Sequence, residues 1–207
     1  MATKYGFSDV REALIEDLKG AYPTKWEDFE TARVLGEDVF GSPKPHPNAV
    51  LNLFLEEDIK FALPFAAYRA CLGGFPSLVS ETPGTALPRF TLASIIHGMG
   101  RMNRLTMLAA YSNVHMRDPG VCHDRCCVLN SGIDSTAARR RIMLKEIFGI
   151  MYRQGERDML SPSSLRGMIR VCMNCANPME QLHLIHRKGL IWVELPSLLG
   201  WRSWEGV

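Results

Sequence analysis

A chain of 207 residues, 46% apolar and 22% charged, is long enough to bury one large core or two small ones. Its 24 basic and 22 acidic residues leave a net charge of +2, too mild a balance to suggest a nucleic-acid stripe, and no uncharged apolar run is long enough to span a membrane. The opening MATKYGFSDVREAL lacks the apolar region of a secretory signal. The expected setting is therefore cytoplasmic or nuclear, where thiols stay reduced.

The first predicted element is a helix. Asp9 and Glu12 have capping-box spacing, Val10, Leu14 and Leu18 share one face, and Gly20 supplies a C-cap. Thr24 and Glu27, after Pro23, start a second and shorter helix with Trp26 and Phe29 on one face. The stretch from Gly36 to Pro47, GEDVFGSPKPHP, has three prolines in five residues and reads as a loop. Helical periodicity returns over 49–55 and 61–72, with Glu56, Glu57 and Asp58 as the turn between. Pro64 fits the first turn of the later helix and Gly73-Gly74 ends it. Cys71, near Phe65 and Tyr68 on that helix, reads as a core residue.

Residues 76–88 form another expected loop. Leu92, Ile95, Ile96 and Met99 then open a helix that continues through Leu105 and Leu108 despite Gly98 and Gly100. A cysteine-bearing loop opens at Asp118-Pro119-Gly120, and helices are expected over 135–148 and 163–171. Asn177-Pro178-Met179-Glu180 combines an N-cap, a proline at the first helical position and a glutamate two residues on. It starts a helix running to about Trp192. The tail LPSLLGWRSWEGV is expected to pack back on the body, with Trp192 and Trp201 buried. No alternating pattern persists for more than a few residues, so the fold class is all-α.

Two cysteine clusters carry the strongest chemical signal. GVCHDRCCVLN holds Cys122, Cys126 and Cys127, and VCMNC holds Cys172 and Cys175. A structural zinc takes four tetrahedral ligands, typically as two close pairs. Cys172 and Cys175 have knuckle spacing, and Cys122 with either Cys126 or Cys127 makes the second pair. The helix opening at Pro178 would aim its positive end near the thiolates. His123 is a possible substitute for one sulfur. The competing reading is that these are buried apolar cysteines, which are common; disulfides rank last in a reducing compartment.

The order KYGFSDVREALIEDLKGAYP, LNLFLEEDIKFALPFAAYRAC, HGMGRMNRL, the two cysteine pairs and WVELPSLLGWRSW resembles the region that follows the BTB/POZ domain in fungal BTB domain-containing proteins of the mushroom-forming lineage. The resemblance covers nearly the whole chain and is most specific at LPFAAYRAC and at CMNC with LPSLLGWRSW. It implies helical hairpins of the BACK type over 1–115 and a cysteine-containing helical lobe over 116–207. It also favours Cys127 over Cys126, giving Cys122, Cys127, Cys172 and Cys175 as zinc ligands. In such proteins the BTB domain lies upstream and provides dimerisation or cullin binding. The chain begins at MATKYG, just past that position, so those activities pass to no residue here.

Catalytic patterns are wanting. Gly98-Met-Gly100 lacks the third glycine and the preceding strand of a dinucleotide turn, and no phosphate loop or HExxH occurs. His183 and His186 are three apart on the last predicted helix, where a solvated or dipole-facing role is the simpler reading. Glu56-Glu57 reads as a helix end. Arg139-Arg140-Arg141 reads first as a solvated helix face. The expected function is a non-catalytic protein–protein interaction or scaffold module with other proteins as partners. Two alternatives are a zinc-dependent nucleic-acid or transcription-associated factor and a fragment without independent activity.

Overall fold

The computed structural model describes residues 8–35, 45–80, 82–115, 137, 141, 181 and 184–204. Every regular element among them is helical, in keeping with the all-α expectation. No helix among them is long and apolar enough to cross a membrane. By contacts the chain divides into two units: Met1–Met99 joined by Leu195–Val207, and Gly100–Glu194. The boundary expected at 115/116 falls where the described residues break off, and the lobe beyond it lies largely outside them.

In the first unit, α1 spans Ser8–Ala21 and α2 spans Trp26–Leu35. Gly20 does not end α1. The helix runs on to Ala21, and the Tyr22 N–H still bonds the Leu18 carbonyl. Val10 and Leu14 are 52% and 54% exposed, so the N-terminal half of the expected apolar face is uncovered. The apolar pair of α2 behaves as its spacing requires: Trp26 and Phe29 are both buried, with ring centroids 5.3 Å apart.

Helix α3, Pro47–Glu56, begins at the last of the three clustered prolines rather than after them. At the first helical position proline gives up no hydrogen bond. Asp58 turns the chain with φ of 54°, a left-handed conformation that aspartate tolerates better than most residues. A 3₁₀ turn at Lys60–Ala62 leads into α4, Leu63–Leu72, with Pro64 in its first turn. The core is aromatic. Tyr22 meets Phe54 of α3 edge-on at 4.7 Å, and Phe65 of α4 lies 6.0 Å from Tyr22 and 5.7 Å from Phe29. Each such side chain removed from water contributes about 1.5–3 kcal/mol.

A short helix, α5 (Gly74–Leu78), occupies the start of the segment expected as loop. Then α6 runs unbroken over Arg89–His115, through Gly98 and Gly100. Its buried line is Ile95, Met99, Met102 and Thr106, while Ile96 and Leu108 are exposed. The burial stripe is thus rotated from the one the leucines suggest, and Thr106 satisfies its buried hydroxyl by donating to the Met102 carbonyl at 2.9 Å.

The second unit ends in a π-helical turn, Arg187–Trp192, whose Ile191 and Trp192 are buried. Ala137 and Arg141, from the expected 135–148 helix, are helical and exposed. The expected helix over 163–171 lies outside the described residues.

The chain then returns to the first unit as α7, Leu195–Leu198, and the turn after it. Leu195, Leu198 and Leu199 are essentially inaccessible and α7 packs on α4. The tail does fold back, but Trp201 and Trp204 are only half-buried, unlike Trp192. The buried apolar anchors are the leucines.

Candidate functional site

Polar chemistry in the first unit gathers where α3 meets the segment 77–86. Asn48 and Asn52 are one turn apart on α3 and both face that segment. Fully buried Asn48 donates through Nδ2 to the carbonyls of Ser77 (3.0 Å), Leu78 (3.2 Å) and Thr85 (3.0 Å). Two hydrogens therefore serve three acceptors, and one is shared. Asn52 repeats the device nearer the surface, donating to Gly84 at 3.2 Å and Ala86 at 2.9 Å. The loop is further tied by Thr85 Oγ1, which bonds the Thr82 carbonyl at 2.8 Å.

Beside this clamp stands a serine–histidine pair. Ser77 Oγ lies 3.3 Å from His46 Nε2. The other ring nitrogen, Nδ1, accepts the Asn48 backbone N–H at 3.2 Å and so caps α3. That N–H can only donate, so Nδ1 presents its lone pair and the proton of neutral imidazole sits on Nε2. Ser77 Oγ is then the acceptor. A nucleophilic serine needs the opposite arrangement, with Nε2 taking its proton. The pair is built to fix α5 against the start of α3. Gly73 makes room for it, since a Cβ there would lie 2.6 Å from both Cβ and Oγ of Ser77.

Cys71 is the described cysteine. It is buried on α4, and desolvation pushes its thiol up to about 12 against a small opposing pull from a backbone hydrogen bond. A thiol so held is neutral and a poor nucleophile. In the second unit, His186 is half-buried with Nδ1 lacking a hydrogen-bond partner, and Arg187 is buried next to it. His183 lies outside the described residues.

The expected zinc ligands Cys122, Cys127, Cys172 and Cys175, together with Cys126 and His123, all lie outside the described residues. Among the described residues no cluster of three or more His, Cys, Asp or Glu is placed to hold a metal.

The surface of the first unit carries large apolar side chains. Phe90 is 91% exposed at the start of α6, and Phe75 at the start of α5 and Val79 just after its end are also exposed. Sequence periodicity did not single out these side chains or the polar clamp. Asn48 and Asn52 interrupt the apolar pattern of α3 at one-turn spacing, which is a usable signal. Their acceptors lie 29 to 37 residues away in the chain for Asn48, which no local pattern reveals. No family model, no curated protein and no solved structure matches the chain.

Proposed function

We propose that the chain is a non-catalytic protein–protein interaction or scaffold module, the C-terminal, post-BTB part of a BTB-type adaptor of the fungal kind it resembles. Its second lobe is fastened by a structural zinc on Cys122, Cys127, Cys172 and Cys175. The observation that carries this reading is the pairing of a pinned helical frame with apolar side chains left outside it. Asn48 and Asn52 hold the 77–86 segment with five hydrogen bonds, and Phe75, Val79 and Phe90 around it remain in water. Exposed aromatics on an ordered scaffold are a common currency of protein recognition. The proton direction in the Ser77–His46 pair and the neutral Cys71 thiol point the same way, since neither is an activated nucleophile.

The test is direct binding. Polypeptides enriched by proximity labelling with the full-length chain are purified and titrated against it by calorimetry. Saturable binding with Kd on the order of 10 μM or tighter, lost on Phe90→Ser with Phe75→Ser, supports the reading. A set of candidates that all fail to saturate overturns it.

The zinc-dependent nucleic-acid reading keeps one observation, the exposed helical Arg141. It requires duplex-DNA affinity that falls linearly in log–log terms with salt. No binding at low salt removes it. The third reading, a fragment without independent activity, is favoured by failure of both assays.

A further inference from the structure

Two helices leave apolar side chains in water beside charges of opposite sign. On α1, Val10, Leu14 and Asp17 are spaced four and three apart and so share one face, and all three are exposed. The half-buried Ile15 and Leu18 lie round the helix from them, and α1 packs on α2. The helix carries four acidic side chains, Asp9, Glu12, Glu16 and Asp17, against Arg11 and Lys19, and Lys19 is held by Glu16. On α6, Arg101, Arg104 and Leu108 are spaced three and four apart and share the side away from buried Met102 and Thr106. Arg104, Met107 and Leu108 are exposed there, Leu108 by 59%. Over its 27 residues α6 holds three arginines and no acidic side chain. A single exposed leucine needs no explanation. An acidic apolar stripe and a basic apolar stripe on one chain are complementary to each other.

We propose that the Val10–Leu14–Asp17 stripe of one copy docks on the C-terminal half of α6 in a second copy of this chain. With the two helices antiparallel and Leu14 on Leu108, one turn further along each brings Asp17 to Arg104, and Val10 lies toward the end of α6. The occupant is argued from charge. Neither stripe suits a copy of itself, because like charges would meet, whereas α1 against α6 sets acid on base along an apolar seam. A partner of one sign, such as an anionic membrane surface, would be drawn to α6 and repelled by α1. Apolar contact holds the pair and the charges orient it. An exposed ion pair contributes only about 0–1 kcal/mol, so the association is weak and sensitive to salt. The proposal rests on the interaction-module reading and deepens it, naming a partner and a surface that uses none of Phe75, Val79 and Phe90.

The experiment measures mass against concentration for the full-length chain by analytical ultracentrifugation. At low salt the average mass is expected to climb above 23.3 kDa with concentration. It is expected to return toward that value at about 1 M salt, where the screening length is about 3 Å. Asp17→Arg and Arg104→Glu change exposed side chains and are expected to melt as the natural chain does. Each alone sets like charges across the contact and is expected to weaken association by about tenfold or more. A 1:1 mixture of the two variants sets opposite charges across the contact again and is expected to recover the natural association. A natural chain that stays at the monomer mass at every concentration overturns the proposal. So does association that either variant leaves intact, or a mixture no better than its parts. A chain that floats with anionic vesicles, loses that binding on Arg104→Glu and remains monomeric overturns it in favour of a membrane surface. None of these outcomes touches calorimetric binding through Phe75 and Phe90, so failure here is distinguishable from failure of the broader reading.

Discussion

Gly98 of α6 and Leu198 of α7 meet through their backbones, with no room for a methyl group between them. Two residues along the same helix, Gly100 has nothing within 4 Å of where its Cβ would be. Alanine is the better helix former by about 0.8–1.0 kcal/mol at an interior position. Gly100→Ala is therefore expected to stabilise the protein by about 0.5–1 kcal/mol. Gly98→Ala gains the same propensity but drives a Cβ into the Leu198 carbonyl, which has no side-chain freedom to give. Overpacking of this kind costs about 1–3 kcal/mol or more, so its net effect is expected to be destabilising. Urea midpoints at constant m-value check the opposite signs; equal shifts for the two would contradict the close approach.

The polar clamp gives a second contrast. Asn48→Ala leaves the buried Leu78 and Thr85 carbonyls and the part-buried Ser77 carbonyl short of a donor and is expected to cost about 2–3 kcal/mol, while Asn52→Ala at the exposed rim is expected to cost under about 1 kcal/mol. Amide hydrogen exchange supplies the spatial check. Protection should fall first in α5 and the 82–86 turn for Asn48→Ala, and hardly at all in α4.

Most helices were legible because their signals are local. The apolar pairs at 26 and 29 and at 95 and 99, the first-turn Pro64 and the helical reading through Gly98 all rest on neighbours within two turns. The misplaced features have distant causes. Gly20 looks like a cap, yet the backbone continues so that Tyr22 can reach Phe54. Val10 and Leu14 have a helical apolar spacing, but spacing carries no information about whether a partner exists. Gly98 reads correctly as helix interior, but its role as the notch that receives Leu198, far along the chain, has no local signal. The site was the least legible part. His46, Asn48 and Ser77 become a unit only when α5 closes on α3, and the cysteines on which the sequence argument concentrated lie outside the described residues.

Cys71 carries a pH prediction. Burial penalises the thiolate and pushes the Cys71 thiol from its ordinary value near 9 up to about 12. Below pH 9 the thiol is neutral in both states and its contribution to stability is fully present. Above pH 9 the unfolded chain releases the proton while the folded chain keeps it, so unfolding is favoured by up to about 1.4 kcal/mol per pH unit until the folded thiol itself titrates. Stability measured from pH 8 to 10.5 is expected to fall less steeply in Cys71→Ala than in the natural chain. Peptide mapping after iodoacetamide at pH 8 should find Cys71 unmodified in the folded protein and modified in urea. Rapid modification of the native chain would contradict its burial.

Zinc is the last test, and it separates two cysteines that differ in kind. A structural zinc on Cys122, Cys127, Cys172 and Cys175 should appear as ~1 metal per chain by elemental analysis. Removing one ligand leaves three thiolates around an ion that needs four, so Cys175→Ala is expected to shed the metal and lower the melting temperature. A chelator should reproduce both effects in the natural chain and change nothing further in the variant. Cys71→Ala removes a buried sulfur from the core of the first unit, at a cost of about 1 kcal/mol in packing, and should leave the metal content unchanged. Purified chain with far less than one zinc, or equal metal loss in the two variants, rejects the four-sulfur site and reduces the cysteines to apolar filling. Replacing Cys126 and Cys127 singly then decides the ligand: only the substitution that empties the site marks the coordinating sulfur, and the resemblance expects it to be Cys127.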